Sequence, residues 1–174
     1  LDPLDAAKRI VQHKLRPLDI AKVNANGKLF YSFNIIGWGL ATDAGKLAEK
    51  LRWLGGVRYD VASIIEVLKG KDRIATLTLD EEVIKENFIF IIGCNTIHTG
   101  KAMKMAPLAK LDDGKIDLII VRKTSKVKLL KLFPKLFSGD HVKSPLVEYK
   151  QVKNFSITIK DENDLTIDGE IIGK

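Results

Sequence analysis

The stretch Asn34 to Asp60 (NIIGWGLATDAGKLAEKLRWLGGVRYD) constrains this chain more than any other. An extended apolar run, Leu29 to Ile36, meets Gly37 and Gly39, where a missing Cβ lets the backbone turn sharply or approach a ligand. The spacing predicts a helix straight after the bend. Thr42 or Asp43 can cap it, Ala44, Leu47, Ala48, Leu51 and Leu54 recur at helical intervals, and Gly55-Gly56 ends it. That burial pattern leaves Gly45, Glu49 and Arg52 on the uncovered side of the helix, with Arg58 just past the stop. One carboxylate and two guanidiniums then converge near a glycine-lined bend. Arginine's planar fork suits bidentate phosphate contacts. The plain alternative is a solvated helix face whose i, i+3 ion pair contributes about 0.2–0.5 kcal/mol.

Around this stretch the chain reads mostly as strands. Leu1 to Leu15 has helical spacing with Asp2-Pro3 at its head and Arg16-Pro17 as its stop. Ile20–Asn24 and Leu29–Ile36 form a hairpin around Asn24 to Gly27, since an Asn-Gly pair is a strong short-range hairpin signal. Val61–Leu68 is a second helix, closed by Gly70 and serving either as a core helix or as a cover over a ligand. Arg73–Leu79 alternates like a half-buried strand. Asn87–Cys94 is a nearly continuous apolar run suited to a strand covered on both faces. Lys115–Arg122 and Asn154–Lys160 add two more, the latter with Phe155, Ile157 and Ile159 inward. Several strands at short spacing with helices between them predict a mainly β fold with inserted helices, an antiparallel two-sheet β-sandwich. Lys126–Phe137 is basic and amphipathic, interrupted by Pro134, and fits either a helix packed on the sheet or one lying on an anionic membrane.

With 174 residues the chain has room for one domain with a real core. No apolar run approaches the roughly 20 residues that cross a bilayer. A single cysteine, Cys94, excludes an internal disulfide and fits a reducing, cytoplasmic setting. Its apolar surroundings point to a buried, inert thiol. The net charge of +7 favours anionic partners. Nucleic acid is the weakest of these, because the 7% of aromatics do not interleave with basic strands as stacking platforms do. His13, His98 and His141 with one cysteine offer no zinc-ligand spacing.

Near the C-terminus, strand periodicity puts Thr166, Asp168 and Glu170 on one face, separated by Gly169. Two carboxylates flanking a glycine can hold a metal ion through water, or orient a hydroxyl, while a phosphate approaches the bare backbone. An exposed acidic hairpin end is the alternative. Asp112-Asp113-Gly114 lacks the spacing of an EF-hand loop.

GWGLATD with AEKLRWLGGVRYD, then HTGKAMKMAPLAKLDDGKIDL (His98 to Leu118) and TIDGE (Thr166 to Glu170), resemble in this order the second half of the diacylglycerol kinase catalytic superfamily. Within it they look most like eukaryotic sphingoid long-chain-base kinases and ceramide kinases. The matches touch most of Lys28 to Gly173. The resemblance implies that residues 1–174 are the C-terminal β-sandwich domain of a diacylglycerol kinase/NAD kinase-like fold, with residues 1–17 as an entering helix. It implies ATP and Mg²⁺ as cofactors and transfer of a γ-phosphoryl to a lipid hydroxyl, with a sphingoid base first and ceramide or acylglycerols as alternatives.

The same resemblance assigns residues. Arg52 and Arg58 would clamp phosphates, Glu49 would contact the nucleotide or orient Arg52, and Gly169 would lie at the phosphates while Asp168 and Glu170 serve the Mg²⁺ shell. Gly45 stands where sphingosine kinases carry a head-group aspartate, so Asp43 substitutes or the lipid lacks an amine. His98 matches a position lining the lipid pocket. Asp113, with backbone oxygens of Ile116 and Leu118, corresponds to a structural Mg²⁺ site of bacterial relatives, or else forms a turn. The superfamily's Gly-Gly-Asp-Gly phosphate loop is absent from these residues, which implies that the chain completes a site and binds lipid but is inactive without an N-terminal kinase domain. Its expected partners are therefore that domain, the lipid and, peripherally, an anionic membrane surface. A non-catalytic basic membrane-docking module that inherited the motifs is the rival from another class.

Overall fold

In the computed structural model, which describes residues 2–71, 73–100, 103–160 and 164–173, the organising element is a single long strand. This strand, β5 (Glu82–Cys94), pairs antiparallel with β4 (Ile74–Leu79) through its first half. Its second half pairs with β3 (Ile35–Gly39) on one side and β6 (Ile116–Arg122) on the other. The register shifts between Phe88 and Phe90, and an irregularity of that kind bends a strand. One chain segment thus serves both layers of a sandwich. Beyond β4 lies β8 (Phe155–Ile159), beyond β6 lies β7 (Glu148–Val152), and beyond β3 lie β9 (Leu165–Ile167) and β10 (Glu170–Ile172). The expected antiparallel sandwich with inserted helices is the observed architecture.

Alternation along the strands divides the core in two. Ile119 and Val121 of β6 face the helical side with Phe90, Ile92 and Cys94. Leu118 and Ile120 face the interlayer side with Trp38, Leu77 and Ile91. From Phe88 to Cys94 both faces of β5 are buried, which is why that half reads as an unbroken apolar run. Burial pushes the Cys94 thiol far above its ordinary range, with the Asp117 carboxylate adding to the effect, so it is an inert core group.

Helices cover the outer face. They are α2 (Leu40–Lys50), α3 (Arg58–Lys69), α4 (Lys126–Leu132) and α5 (Lys135–Ser138). The basic segment from Lys126 resolves in favour of packing on the sheet: Leu129, Leu132 and Leu136 are buried, and Pro134 separates α4 from α5. Among the described residues no helix is long and apolar enough to cross a membrane.

Several local expectations need correction. The entering helix, α1, spans Pro3–Val11 rather than reaching Leu15, because His13 adopts a left-handed conformation; Leu1 lies outside the described residues. Leu29–Ile36 is not one strand. After β1 (Ala21–Ala25) and a turn at Asn26-Gly27 comes β2 (Lys28–Ser32), and β3 carries Gly37 and Trp38 within the ladder. Only Gly39 breaks the chain, with φ +87, and a Cβ there would stand 2.6 Å from the Ile89 carbonyl oxygen. That glycine is also the helix cap, so neither Thr42 nor Asp43 caps α2. The strand β7 escaped the sequence pattern, since Glu148, Lys150 and Gln151 interrupt its apolar residues.

Candidate active site

The central helix is shorter than its apolar spacing predicts. α2 stops at Lys50, a 3₁₀ segment covers Arg52–Val57 with Gly55 at φ 56, and α3 starts at Arg58. The glycine pair therefore makes a corner between two helices, and the corner brings the charged triad together. Arg52 Nε donates to Glu49 Oε2 at 2.8 Å, and the Arg58 guanidinium lies 3.5 Å from Glu49 Oε1. Arg58 also stacks over the Tyr59 ring at 4.9 Å, which fixes its plane. The side chain of Arg52 is 72% exposed, so its fork is open to an anion from solvent. One carboxylate holding two guanidiniums leaves a net positive corner able to receive phosphate oxygens.

The acidic motif is built differently. It is not one strand face: β9 ends at Ile167, Asp168 and Gly169 form a two-residue turn with φ 50 and 95, and Glu170 opens β10. Positive φ at both turn positions is the hairpin geometry that an Asp-Gly pair favours. Asp168 turns inward. Its carboxylate accepts from Ser32 Oγ at 2.7 Å and from the backbone amides of Phe33, Asn34 and Ile35 at 3.0, 3.0 and 2.9 Å. Partial burial acts to raise its pKa, but the four donors outweigh it and hold the carboxyl below the ordinary value. Asp168 thus locks the β2–β3 bend to the hairpin and has little acceptor capacity left. Glu170 is exposed, and a Cβ on Gly169 would meet nothing within 4 Å, so this rim is open.

The two regions do not converge on one point. Thr166 donates to the Thr42 hydroxyl at 3.0 Å, while Lys46, one turn along α2, pairs with Asp164, earlier on the strand. Helix and strand therefore pass in opposite chain directions. The acidic turn lies off the N-terminal end of α2 and the arginines lie beyond its C-terminal end. From Thr42 to Lys50 the helix alone rises roughly 12 Å at 1.5 Å per residue. Arg52 and Arg58 thus stand toward the C-terminal end of α2, and the Asp168–Glu170 turn toward its N-terminal end.

The lipid-side residues are also placed apart. Asp43 is engaged by Lys71 Nζ at 2.8 Å and by the Arg73 guanidinium, itself buried. Burial raises its pKa, and the hydrogen bonds and charges of Lys71 and Arg73 lower it by more, leaving a neutralised carboxylate. Gly45 lies on α2 with open space where a Cβ would be. His98 is exposed in the loop after β5, its carbonyl accepting from Thr96 Oγ1 at 3.0 Å. This loop leaves from the Cys94–Ile35 end of the β5–β3 ladder, whereas α2 leaves from the Phe90–Gly39 end.

Among the described residues no three His, Cys, Asp or Glu side chains cluster closely enough to share a metal. Glu170 offers one free carboxylate, which fits an ion that keeps several waters and takes its other ligands from substrate phosphates. Asp113 accepts from the Lys115 amide at 3.1 Å, forming the turn into β6 that carries Ile116 and Leu118, both in the ladder. Sequence reasoning missed the supporting residues: Ser32, which anchors Asp168, Thr42, whose hydroxyl donates to the Gly37 carbonyl at 2.9 Å, and Arg73.

A strand common to two layers, with helices on one outer face and charged loops at the sheet ends, defines an antiparallel sandwich of the NAD kinase-like class. The chain belongs to the family of YegS C-terminal NAD kinase beta sandwich-like domains, which matches it over residues 34–174. The resemblance to diacylglycerol kinase-superfamily lipid kinases is thereby borne out at the level of the family. Similar proteins include the diacylglycerol kinase of Staphylococcus saprophyticus, 30% identical over 176 residues, covering 99% of this chain and 56% of that protein. Sphingosine kinase 1 of Arabidopsis thaliana is 26% identical over 212 residues, covering 95% and 44%. A crystal structure of a diacylglycerol kinase from Bacillus anthracis superposes with a TM-score of 0.63 at 18% identity, over 98% of this chain and 53% of that one, which shows the shared fold. The chain spans about half the length of the curated relatives it matches.

Proposed function

We propose that this chain is the lipid-binding and site-completing domain of an ATP-dependent lipid kinase, contributing to transfer of the γ-phosphoryl to a lipid hydroxyl. The observation that carries the reading is the Glu49–Arg52–Arg58 corner, a preassembled pair of guanidiniums, Arg52 largely exposed and Arg58 partly so, in a chain of this family. Arg52 and Arg58 clamp nucleotide phosphates, and Glu49 holds both forks in place. Glu170, beside the bare backbone of Gly169, is the carboxylate that would hold a hydrated Mg²⁺, which would offset phosphate charge. Asp168 acts through the bend it locks and is a positioning residue. A triphosphate nucleotide reaching from the arginine corner toward the acidic rim along α2 reconciles the two separated regions. The phosphate loop absent from these residues belongs to an N-terminal kinase domain, so the isolated chain is inactive, and the basic surface associates peripherally with anionic membranes from the cytoplasmic side.

The resemblance names a sphingoid base as the lipid. The Asp43 carboxylate, already neutralised by Lys71 and Arg73, together with Gly45 in the head-group position, favours a second reading: a neutral acceptor such as a diacylglycerol or ceramide. The test uses the full-length protein with sphingosine, ceramide and diacylglycerol as parallel substrates. Arg52→Ala and Glu170→Ala each lower turnover at least about tenfold, the loss of one charge-assisted contact of about 1.5–3 kcal/mol, while the fold persists. Unchanged turnover in both variants would overturn the assignment, and the substrate panel decides between the two lipid classes.

A further inference from the structure

The interlayer core is not closed along its whole length. On the side of Trp38, Phe155, Ile157 and Leu165 it opens into a cleft of about 610 Å³, roofed by the β1–β2 hairpin. Three of the β1 residues that line it, Ala21, Val23 and Ala25, have short side chains, which leaves the gap under the roof open. Trp38 stands in the wall of the cleft and is 3% exposed. Four lysines, Lys22, Lys28, Lys115 and Lys153, line the same cleft, and among the described residues no carboxylate pairs with any of their ammonium groups. Among the described residues the one acidic residue of the lining, Asp19, accepts from the Gly114 amide at 2.7 Å.

An apolar wall and a cationic rim define the occupant by chemistry. We infer that the cleft binds a single-chain lipid bearing a phosphate group, its chain on Trp38, Phe155, Ile157 and Leu165 and its head among the lysines. The volume lies within the roughly 300–1,000 Å³ typical of small-molecule sites, enough for one chain and too little for a diacyl lipid and its headgroup together. The inference stands independently of the kinase reading, since it uses none of the residues assigned to nucleotide or acceptor. It commits to a lipid taken up as a monomer, with attraction to a membrane surface as the competing outcome of the test.

Trp38 and Trp53 are the two tryptophans of these residues, so replacing Trp53, and any tryptophan elsewhere in the full-length protein, by Phe makes Trp38 the sole reporter. In the full-length protein with this substitution, palmitoyl lysophosphatidate below its micelle concentration produces a saturable change in tryptophan emission. Lysophosphatidylcholine of the same chain length, with its cationic head, binds at least about fivefold more weakly, and inorganic phosphate alone gives no change. Ala25→Leu, which fills the cleft, and the pair Lys22→Glu with Lys153→Glu each weaken lysophosphatidate binding by about tenfold or more. Equal binding of the two lysolipids, undiminished binding in a folded Ala25→Leu variant, or a response only to phosphatidylglycerol vesicles overturns the inference. If the variants fail to fold, the lysolipid comparison in the Trp53→Phe protein decides it.

Discussion

At the α2–α3 corner the charges lie toward water: Arg52 is largely exposed, Glu49 bridges the two guanidiniums, and Arg58 is partly covered by the Tyr59 ring. At the β9–β10 turn the corresponding charge faces the protein, and Asp168 gathers four donors from the bend between β2 and β3. Both regions couple ionisable side chains to glycines. The difference lies in what surrounds them once folded. Where backbone amides converge on a carboxylate, it becomes part of the architecture; where only other side chains meet it, it stays available for a ligand. Function and stability should therefore separate cleanly between the two regions.

The largest effect expected is on stability at the turn. Asp168→Ala leaves the Ser32 hydroxyl and three amides without their acceptor and should lower unfolding free energy by about 2–4 kcal/mol, read by denaturant melts. A neutral loss there would mean that the bend holds itself and would break the contrast. The acid response sharpens it. Because the folded pKa of Asp168 lies below its ordinary 3.8, its contribution is present above that value and lost as pH falls through the folded one. The parent protein should thus lose stability more steeply than Asp168→Asn over that acidic range.

A smaller cost follows for Gly169→Ala. Space is open around the missing Cβ, but φ is +95, so strain of about 1–2 kcal/mol is expected without any clash. The smallest effect belongs to the corner. Arg52→Ala should shift stability by no more than about 0.5 kcal/mol, as is usual for an exposed ion pair, and a larger shift would show that the corner is architectural too.

Much of this division was legible in the residues. The Asn-Gly hairpin, the alternation of Phe155 to Ile159, the doubly covered run ending at Cys94 and the grouping of Glu49, Arg52 and Arg58 follow from period and turn chemistry alone. What stayed hidden depends on contacts between segments far apart in sequence. Nothing near Asp168 shows that Ser32, 136 residues earlier, will reach it, and a strand reading of TIDGE ignores that Asp-Gly prefers to turn. Asp43 was similarly opaque, since its partners Lys71 and Arg73 belong to the far side of α3. The Gly39 cap was hidden by a more familiar signal, the Thr42-Asp43 pair one turn later.

The shared strand β5 has a consequence for how the domain comes apart. Sliding it by one residue would invert the facing of side chains in both cores at once, so its alignment is doubly enforced. Neither layer can be released while the other remains intact, and the amides of Ile91 and Ile92 should exchange with solvent only when the whole domain opens. A chain that presents separate ligand-facing edges is thus held to a single melting event by one bent backbone.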